Sequence, residues 1–474
     1  FFEPTAERCR QQQKLMLLRA SVSFSLQNKE KTNMTSMLNQ ADQKVDSLVV
    51  RPIVEACGTV HLPGSKSISN RALLLAALAD GTTRLEGLLK ADDTERMIES
   101  LVKLGIKIER VDDETALVAG CGGKFPVRHA ELFIGNAGTA ARTLSAVLAF
   151  ANGSYTIDGV ARMRERPIAD LIAALRELGA QITCTEREGF LPLEFRPASN
   201  LGSSVHVRGN VSSQYLTAIL MVAPLIAPAQ GLCISIKGEL ISRPYVEMTV
   251  KMMRRFGAQV EPEDGGFRVM PGTYKAQSCY QVEADASSAS YFLALGALTG
   301  GPVTVTGVGE DSLQGDVAFA DVLADMGAKV DKTKNSITVS RSPDAALTGI
   351  DVDCTMIPDA AMTLVPMAPS CTGAVRLTGI GSWRVKETDR LKAMACEMRK
   401  FGAIVEEGED WILAARPVDG IHNAVVETYD DHRMAMSLAL AAASGAEVTV
   451  LDPGCTAKTF PTYFALLESL CRFK

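Results

Sequence analysis

Residues 63–87 read PGSKSISNRALLLAALADGTTRLEG, a polar helix start that runs into an apolar helix and then a strand. Ser65 is placed to cap the helix, so the free N–H groups of the first turn can face an anion. Lys66 adds a mobile charge, while Ser67 and Arg71, four residues apart, offer further donors on one face. The stretch predicts a phosphate-binding helix start, although taken alone an ordinary capped amphipathic helix with two solvated cations explains it equally well.

The second half of this stretch recurs along the chain. An Ala- and Leu-rich helical run that ends in Gly and precedes a strand is centred on six glycines: Gly81, Gly153, Gly231, Gly301, Gly373 and Gly445. Between them, an amphipathic helix with the same Gly-then-strand ending occurs at Gly105, Gly179, Gly257, Gly327 and Gly402. Gly suits the position after a helix, where positive φ is required. The pattern predicts six units of strand, helix, strand, helix, strand, strand and therefore an α/β fold.

Composition narrows the class of protein. The chain has 474 residues, of which 47% are hydrophobic and 22% charged, enough for two or three globular domains. A net charge of −6 argues against general attraction to nucleic acid or anionic membranes. No apolar run approaches the roughly 20 residues of a membrane-spanning helix. Eleven cysteines without a C-x-x-C pair indicate free thiols in a reducing compartment.

Residues 1–47 differ from the rest and are predicted to be a non-core extension. They carry three consecutive glutamines and mixed charges, without the Gly-punctuated pattern. Three origins stay open: translated sequence upstream of a start at Met34 or Met37, part of a longer polypeptide, or a weak transit peptide. The acidic residues of this segment count against the last origin.

Seven further stretches carry candidate chemistry, and each also has a purely structural explanation. They are LFIGNAGTAAR (132–142), RMRERP (162–167), VSSQY (211–215), IPDAAM (357–362), WRVKETDR (383–390), YDDHRM (429–434) and CTAKTFP (455–461). Consecutive serines commonly cap helices, an acid at a helix start is favoured by the dipole, and charge runs are commonly solvated faces. The alternative is one shared anion site built from cations of the separate stretches.

The repeats and these motifs together resemble the 5-enolpyruvylshikimate-3-phosphate (EPSP) synthase family, over residues 49–474. The resemblance implies a two-domain inside-out α/β barrel of six βαβαββ repeats, with the active site in the interdomain cleft. One domain would span residues 65–284 and the other residues 48–64 plus 285–474. The sister enolpyruvyl transferases that act on UDP-N-acetylglucosamine typically carry a reactive cysteine in the loop that corresponds to 162–167, where this chain has none between Cys121 and Cys184.

The resemblance also implies a function. The family transfers the enolpyruvyl group of phosphoenolpyruvate to the 5-hydroxyl of shikimate 3-phosphate and releases phosphate, in the shikimate pathway to chorismate and aromatic amino acids. It implies no cofactor or metal, glyphosate as an inhibitor, no nucleic-acid or membrane partner, and a monomer in the cytoplasm rather than a plastid. Two alternatives remain: a sister transferase with another acceptor, or an inactive six-repeat ligand-binding protein.

Site residues follow by position in the matching motifs. Shikimate 3-phosphate would be bound by Lys66, Ser67, Arg71, Ser212, Ser213, Gln214, Ser242, Asp359, Ser382 and Lys386. Phosphoenolpyruvate would be bound by Lys66, Gly138, Thr139, Arg166, Gln214, Arg390, Arg433 and Lys458. The catalytic set would be Asp359 as acceptor of the 5-hydroxyl proton, Glu387 for proton transfer at the methylene carbon, Lys66, and His432 in support.

The chain departs from the family pattern at three positions. Ala141 and Thr143 stand where the family usually has Met and Pro, and Ser382 stands where Asn is common. Pro removes a backbone donor, so Thr143 is expected to change the helix that presents Gly138 and Thr139. We therefore expect modestly reduced sensitivity to glyphosate.

Overall fold

The structure is a computed structural model that describes residues 46–342 and 344–474. Nearly all of the predicted extension lies outside the described residues. Asp46 and Ser47 are the exceptions, and Ser47 opens a strand that pairs with residues 448–451 near the other end of the chain. The first described strand therefore begins one residue inside the range predicted as an extension.

The structure contains short strands and helices throughout. The strands are β1 (Ser47–Val50), β2 (Ile53–Ala56), β3 (Gly58–His61), β4 (Thr82–Glu86), β5 (Lys107–Arg110), β6 (Ala116–Ala119), β7 (His129–Phe133), β8 (Ser154–Asp158), β9 (Gln181–Cys184), β10 (Leu193–Arg196), β11 (Ser204–Arg208), β12 (Leu232–Lys237), β13 (Val260–Glu263), β14 (Gly266–Val269), β15 (Tyr280–Gln281), β16 (Val303–Thr306), β17 (Lys329–Lys332), β18 (Ser336–Ser340), β19 (Leu347–Asp353), β20 (Cys371–Thr378), β21 (Ile404–Glu407), β22 (Ile412–Ala415), β23 (Ala424–Val426), β24 (Val448–Leu451) and β25 (Cys471–Phe473). The α-helices are α1 (Lys66–Leu78), α2 (Asp92–Lys103), α3 (Gly138–Leu148), α4 (Ala161–Glu165), α5 (Ala169–Glu177), α6 (Ser213–Ile226), α7 (Arg243–Arg255), α8 (Ala286–Thr299), α9 (Phe319–Asp325), α10 (Arg390–Lys400), α11 (His432–Leu438) and α12 (Tyr463–Leu470). Segments of 3₁₀ helix span Gly315–Ala318, Ala360–Ser370, Gly381–Val385, Ala439–Ser444 and Pro453–Lys458.

The sheets repeat one topology, which confirms the predicted repeat. In the sheet β7-β8-β10-β9, β7 and β8 are parallel and the other two pairings are antiparallel. The same order and directions occur in β11-β12-β14-β13, β3-β16-β18-β17, β19-β20-β22-β21 and β15-β4-β6-β5. The sixth sheet is β23-β24-β1, in which β1 comes from the beginning of the described residues. The two ends of the fold are therefore joined by strand pairing.

Most of the repeated glycines have the predicted conformation. The glycines that precede β5, β9, β13, β17 and β21 have φ between 81° and 102°. Two glycines of the first signature differ. Gly153 does not have positive φ, and it is needed for space because a Cβ would lie 2.4 Å from the carbonyl oxygen of Arg128. Gly373 lies inside β20, opposite an irregular register, rather than before the strand.

Each repeat contributes one helical segment that is buried on nearly all sides. These segments are α1, α3, α6, α8, the 3₁₀ segment 360–370, and α11 with the 3₁₀ segment that follows it. Such all-round burial requires the sheets to lie outside and the helices inside. The buried apolar residues form two clusters, one drawn from residues 68–282 and the other from residues 50–60 and 284–467. Two separate cores support the predicted domain boundaries, which stay a prediction.

Among the described residues, no helix combines the length and the apolar character that a membrane span requires.

Candidate active site

The predicted site residues lie where the central helices begin. Lys66 and Ser67 open α1, Gly138 and Thr139 open α3, and Ser213 opens α6. The same position in the other half is held by Asp359, before the 3₁₀ segment 360–370. Unpaired N–H groups and the positive end of the dipole both favour anions at such ends. The repeat therefore presents several anion-binding helix starts.

A cavity of about 60 Å³ connects residues of both halves of the chain. Its lining includes these predicted residues: Lys66, Ser67, Arg71, Thr139, Arg166, Ser212, Ser213, Gln214, Ser242, Asp359, Ser382, Lys386, Glu387 and Arg390. All ten residues predicted for shikimate 3-phosphate are in this set. Counting Arg142, the described lining has six cations against two carboxylates, which is a local excess of positive charge in an acidic chain.

Arg71 is held in place by hydroxyl groups rather than by a carboxylate. Its Nε donates to Thr249 Oγ1 at 2.8 Å and one terminal nitrogen donates to Thr217 Oγ1 at 3.3 Å. Burial lowers the pKa of Arg71 to about 10, so the side chain is still a cation at neutral pH. Arg71 also donates to the carbonyl oxygen of Ser67 at 2.9 Å. A buried cation held by neutral oxygens favours an anionic partner from outside the protein.

Asp359 does not cap the helix that follows it. Its oxygens lie 3.2 Å from Arg390, 3.2 Å from Arg433 and 3.5 Å from Lys386. Burial alone would raise the pKa of this carboxyl, but Lys386, Arg433, Arg390 and Lys66 outweigh burial and hold the pKa well below its ordinary value. Because several cations converge on it, Asp359 is a weaker base than its burial alone would make it.

Arg390 links three carboxylates at the floor of the cavity. It is 1% exposed and donates to Asp431 at 2.7 Å, Glu387 at 2.8 Å and Asp359 at 3.2 Å. Burial would raise the pKa of Glu387, but the cations around it, with Arg390 the largest contributor, hold the pKa well below its ordinary value. Glu387 is therefore ionised in this arrangement.

Asp93 joins two predicted site lysines from opposite halves of the chain. Its carboxylate lies 2.7 Å from Lys458 Nζ and 3.8 Å from Lys66 Nζ, and the residue is 1% exposed. Burial lowers the pKa of Lys66, and Asp93 and Glu387 only partly offset that effect. Sequence analysis missed Asp93, because an acid in the first turn of α2 looks like an ordinary favourable dipole interaction.

The charge run 162–167 is part of the site rather than a solvated face. Arg166 is 5% exposed and donates to the backbone and side-chain oxygens of Asn136 at 3.2 and 3.1 Å. Arg162 donates to the backbone oxygens of Glu387 and Lys386 at 2.8 and 3.1 Å, which connects the two halves. Only Arg164, paired with Asp158 and Glu186, fits the solvated interpretation.

Four predicted residues lie outside the cavity lining. Gly138 packs against Arg166, where a Cβ would lie 2.7 Å from the guanidinium. Arg433 contacts Asp359, which lines the cavity, whereas Lys458 contacts Asp93, which in turn contacts Lys66 of the lining. His432 is fully buried, and neither ring nitrogen makes a hydrogen bond in the described structure.

The surroundings of His432 favour a supporting role over direct proton transfer. Its Nδ1 lies 3.4 Å from Asp431 Oδ1 without hydrogen-bond geometry. Burial, with Lys66 and Arg433 nearby, holds its pKa well below the ordinary value, so the ring is neutral. A neutral ring that does not reach the cavity supports the packing of α11 and has no direct route to a substrate proton.

Tyr245 and Arg142 are cavity residues to which the sequence assigned no direct contact. Tyr245 follows Ser242, a non-glycine residue with φ of 50° that begins α7 and also lines the cavity. Tyr245 ends the run Ser-Arg-Pro-Tyr that begins with the predicted Ser242, and nothing in the spacing of this run indicates which side chain points inward. No group of three or more His, Cys, Asp or Glu suited to a metal ion occurs in the part of the chain that the structure describes.

Fold and cavity together define a class: six-repeat α/β proteins with a cation-rich cavity where their central helices begin. A family model described as EPSP synthase (3-phosphoshikimate 1-carboxyvinyltransferase) matches residues 50–467. The 3-phosphoshikimate 1-carboxyvinyltransferase of Nitrosomonas europaea is 53% identical over 416 residues, which cover 87% of this chain and 96% of that protein. The enzyme of the same name from Cellvibrio japonicus is 53% identical over 423 residues, covering 88% and 98%. The chain belongs to the EPSP synthase family.

Solved structures agree with this assignment. EPSP synthase from Acinetobacter baumannii superposes with a TM-score of 0.75 at 26% identity, covering 90% of this chain and 98% of that one. The enolpyruvyl transferase NikO from Streptomyces tendae gives a TM-score of 0.70 at 18% identity over 90% and 98% of the two chains, which shows the shared fold alone. The predicted family, α/β fold class and transferase activity are confirmed.

Proposed function

We propose that this cavity binds shikimate 3-phosphate and phosphoenolpyruvate and transfers the enolpyruvyl group to the 5-hydroxyl of shikimate 3-phosphate, with release of phosphate. The observation that carries the proposal is the excess of cations over carboxylates in a cavity lined by helix starts. Both substrates are rich in phosphate and carboxylate groups, which such a cavity favours. The reaction would place the protein in the shikimate pathway to chorismate.

The lining divides between the two ligands. Ser212, Ser213 and Arg71, with Ser67 beside them, offer hydroxyl and guanidinium donors from α1 and α6 for the phosphate of shikimate 3-phosphate. Arg166 and Arg390 approach Glu387 from either half of the chain and suit the planar carboxylate of phosphoenolpyruvate. Filling the cavity with both substrates would exclude water and orient the hydroxyl towards the enol carbon.

The reaction proceeds in two steps and requires three proton movements. In the first step the 5-hydroxyl oxygen bonds to C2 of phosphoenolpyruvate, its proton passes to Asp359, and C3 gains a proton. In the second step C3 loses a proton and phosphate leaves. Glu387 lies in the lining beside Lys66, whose lowered pKa makes it a readier proton donor. The surrounding cations stabilise the dianionic groups in both steps.

Other features of the proposal extend beyond the cavity. We assign residues 65–284 to one domain and residues 48–64 plus 285–474 to the other, since the two hydrophobic clusters divide near those positions. The monomeric state and the cytoplasmic location stay predictions.

Binding of shikimate 3-phosphate tests the assignment of the site. Ser213→Ala removes one hydroxyl at the start of α6, and a hydrogen bond to a charged group contributes about 1.5–3 kcal/mol. We expect the dissociation constant measured by calorimetry to rise about 10- to 100-fold. The control is Ser203→Ala, at an exposed position before β11. Equal affinity in both variants would remove Ser213 from the site.

Inhibition by glyphosate tests the departure at Thr143. Thr143 lies in the second turn of α3 rather than the first, and its hydroxyl donates to the carbonyl oxygen of Thr139 at 2.8 Å. Proline would remove both this hydroxyl and the backbone N–H of residue 143, and its ring would crowd the carbonyl oxygen of Thr139. We expect Thr143→Pro to lower the ratio of the glyphosate inhibition constant to the phosphoenolpyruvate Michaelis constant about tenfold, a difference of about 1.4 kcal/mol.

Thr143→Ala is the matched control for this change, because it removes the hydroxyl and keeps the backbone donor. An unchanged ratio in the proline variant would show that position 143 does not govern the inhibitor pocket.

A further inference from the structure

Asp316 is a buried carboxyl behind the wall of the active-site cavity. It lies in the 3₁₀ segment 315–318, is 5% exposed, and does not line that cavity. It lines a second cavity of only about 10 Å³, together with Tyr245 and Ser287. Buried carboxyls without a facing cation are costly, so this position calls for a role.

Tyr245 connects Asp316 with Asp359. Its hydroxyl oxygen lies 3.0 Å from Asp359 Oδ2 and 3.4 Å from Asp316 Oδ2. A phenol has a single proton, so it donates to one carboxyl while its oxygen can accept a proton from the other. The three groups therefore form a chain along which one proton position can shift.

The surrounding structure fixes this chain. The Ser287 hydroxyl donates to Asp316 Oδ2, and the backbone N–H of Ala360 approaches Asp316 Oδ1 at 3.4 Å. Gly315 allows the start of α7 to come close, because a Cβ there would lie 2.4 Å from Cβ of Pro244. That approach brings Tyr245, the next residue of α7, against Asp316.

The carboxyls of Asp316 and Asp359 differ in pKa. Burial and then Asp359 raise the pKa of Asp316 to about 6, although the Ser287 hydroxyl and Arg433 act in the opposite direction, and Asp285 adds a smaller increase. The pKa of Asp359 is held well below its ordinary value by the cations around it, although burial opposes them. A proton that reaches the pair is therefore bound more strongly by Asp316.

We propose that Asp316 is the resting place of the proton that Asp359 takes from the substrate hydroxyl, and that Tyr245 relays it. This inference rests on the proposed function. As the hydroxyl oxygen bonds to the enol carbon, its O–H bond breaks and the proton bonds to Asp359. Asp359 then gives a proton to the Tyr245 oxygen while the former Tyr245 proton bonds to Asp316. No electrons are exchanged with another group, and the reverse shift returns the proton to Asp359.

Asp316→Asn tests the relay, because the amide keeps the size of the side chain but cannot take up the proton. We expect kcat to fall about 10- to 100-fold, up to the lower end of general-base effects, with little change in the dissociation constant of shikimate 3-phosphate. The relay needs ionised Asp316, so wild-type kcat should fall as the pH decreases through about 6. That acid limb should be absent in Asp316→Asn.

Two further variants separate the relay from a structural effect. Tyr245→Phe keeps Asp316 but breaks the chain, and combining it with Asp316→Asn should lower kcat no further than either change alone. Asp325→Asn makes the same chemical change at an exposed position nearby and should leave kcat unchanged. Additive losses, or a wild-type acid limb in Asp316→Asn, would overturn the relay. Absence of turnover in the wild type would instead overturn the proposed function.

Discussion

Asp359→Asn is expected to lower kcat by about 10²-fold or more, while shikimate 3-phosphate still binds. The amide retains the shape of the carboxyl but can neither take the hydroxyl proton nor balance Lys386, Arg390 and Arg433. Steady-state phosphate release gives kcat, and calorimetry gives the binding constant. A rise in the Michaelis constant with kcat unchanged would show that Asp359 only holds the substrate.

The matched control for this variant is Asp351→Asn, on β19. Asp351 pairs with Arg376 on the surface, and exposed pairs contribute little. We expect its turnover to equal that of the wild type. Turnover of Asp359→Asn at the level of this control would contradict a proton-transfer role.

Arg390→Met is expected to destabilise the protein by about 3–5 kcal/mol, because it leaves Asp431, Glu387 and Asp359 buried with one cation fewer. The free energy of unfolding is measured from urea titrations followed by circular dichroism. Arg399→Met is the control, since Arg399 lies on the same helix, is half exposed, and pairs with Glu407 at 3.5 Å. A loss no greater than that of the control would show that the buried network adds no net stability.

The difference in the free energy of unfolding between wild type and Arg390→Met should depend on pH in a defined direction. In the wild type the pKa of Glu387 is depressed, so its contribution to stability is present above its ordinary value of 4.5 and is lost as the pH falls through the folded-state value. Without Arg390 the pKa of Glu387 is depressed less, so the variant loses less stability than the wild type as the pH falls. The difference between wild type and variant should therefore be greatest near neutral pH and narrow as the pH falls. A difference that widens in acid would contradict the electrostatic cause.

Local sequence signals predicted the fold because each repeat carries its own signals for the end of a helix and the start of a strand. A glycine after a helix and an apolar run before it are readable without tertiary information, and they located the strands after Gly81, Gly231 and Gly445. Gly153 and Gly373 broke the rule for reasons that only packing and register reveal. In the same way, the sequence could not show that β1 would close the sixth sheet.

Motifs predicted which side chains gather but not the charges that balance them. All ten residues assigned to shikimate 3-phosphate line one cavity. The sequence did not predict that Asp93 would hold Lys66 and Lys458, or that Asp359 would be a weakened rather than a strengthened base. Both effects come from residues far apart in the chain, so no local pattern contains them.

Phosphate release from phosphoenolpyruvate, measured with and without shikimate 3-phosphate, tests the central claim most directly. We expect release only when shikimate 3-phosphate is present, together with an equal amount of enolpyruvyl product, and a fall of about 10²-fold in Asp359→Asn. UDP-N-acetylglucosamine in place of shikimate 3-phosphate should give no release. Phosphate release with UDP-N-acetylglucosamine but not with shikimate 3-phosphate would contradict the account. Binding of both proposed substrates without any phosphate release would also contradict it.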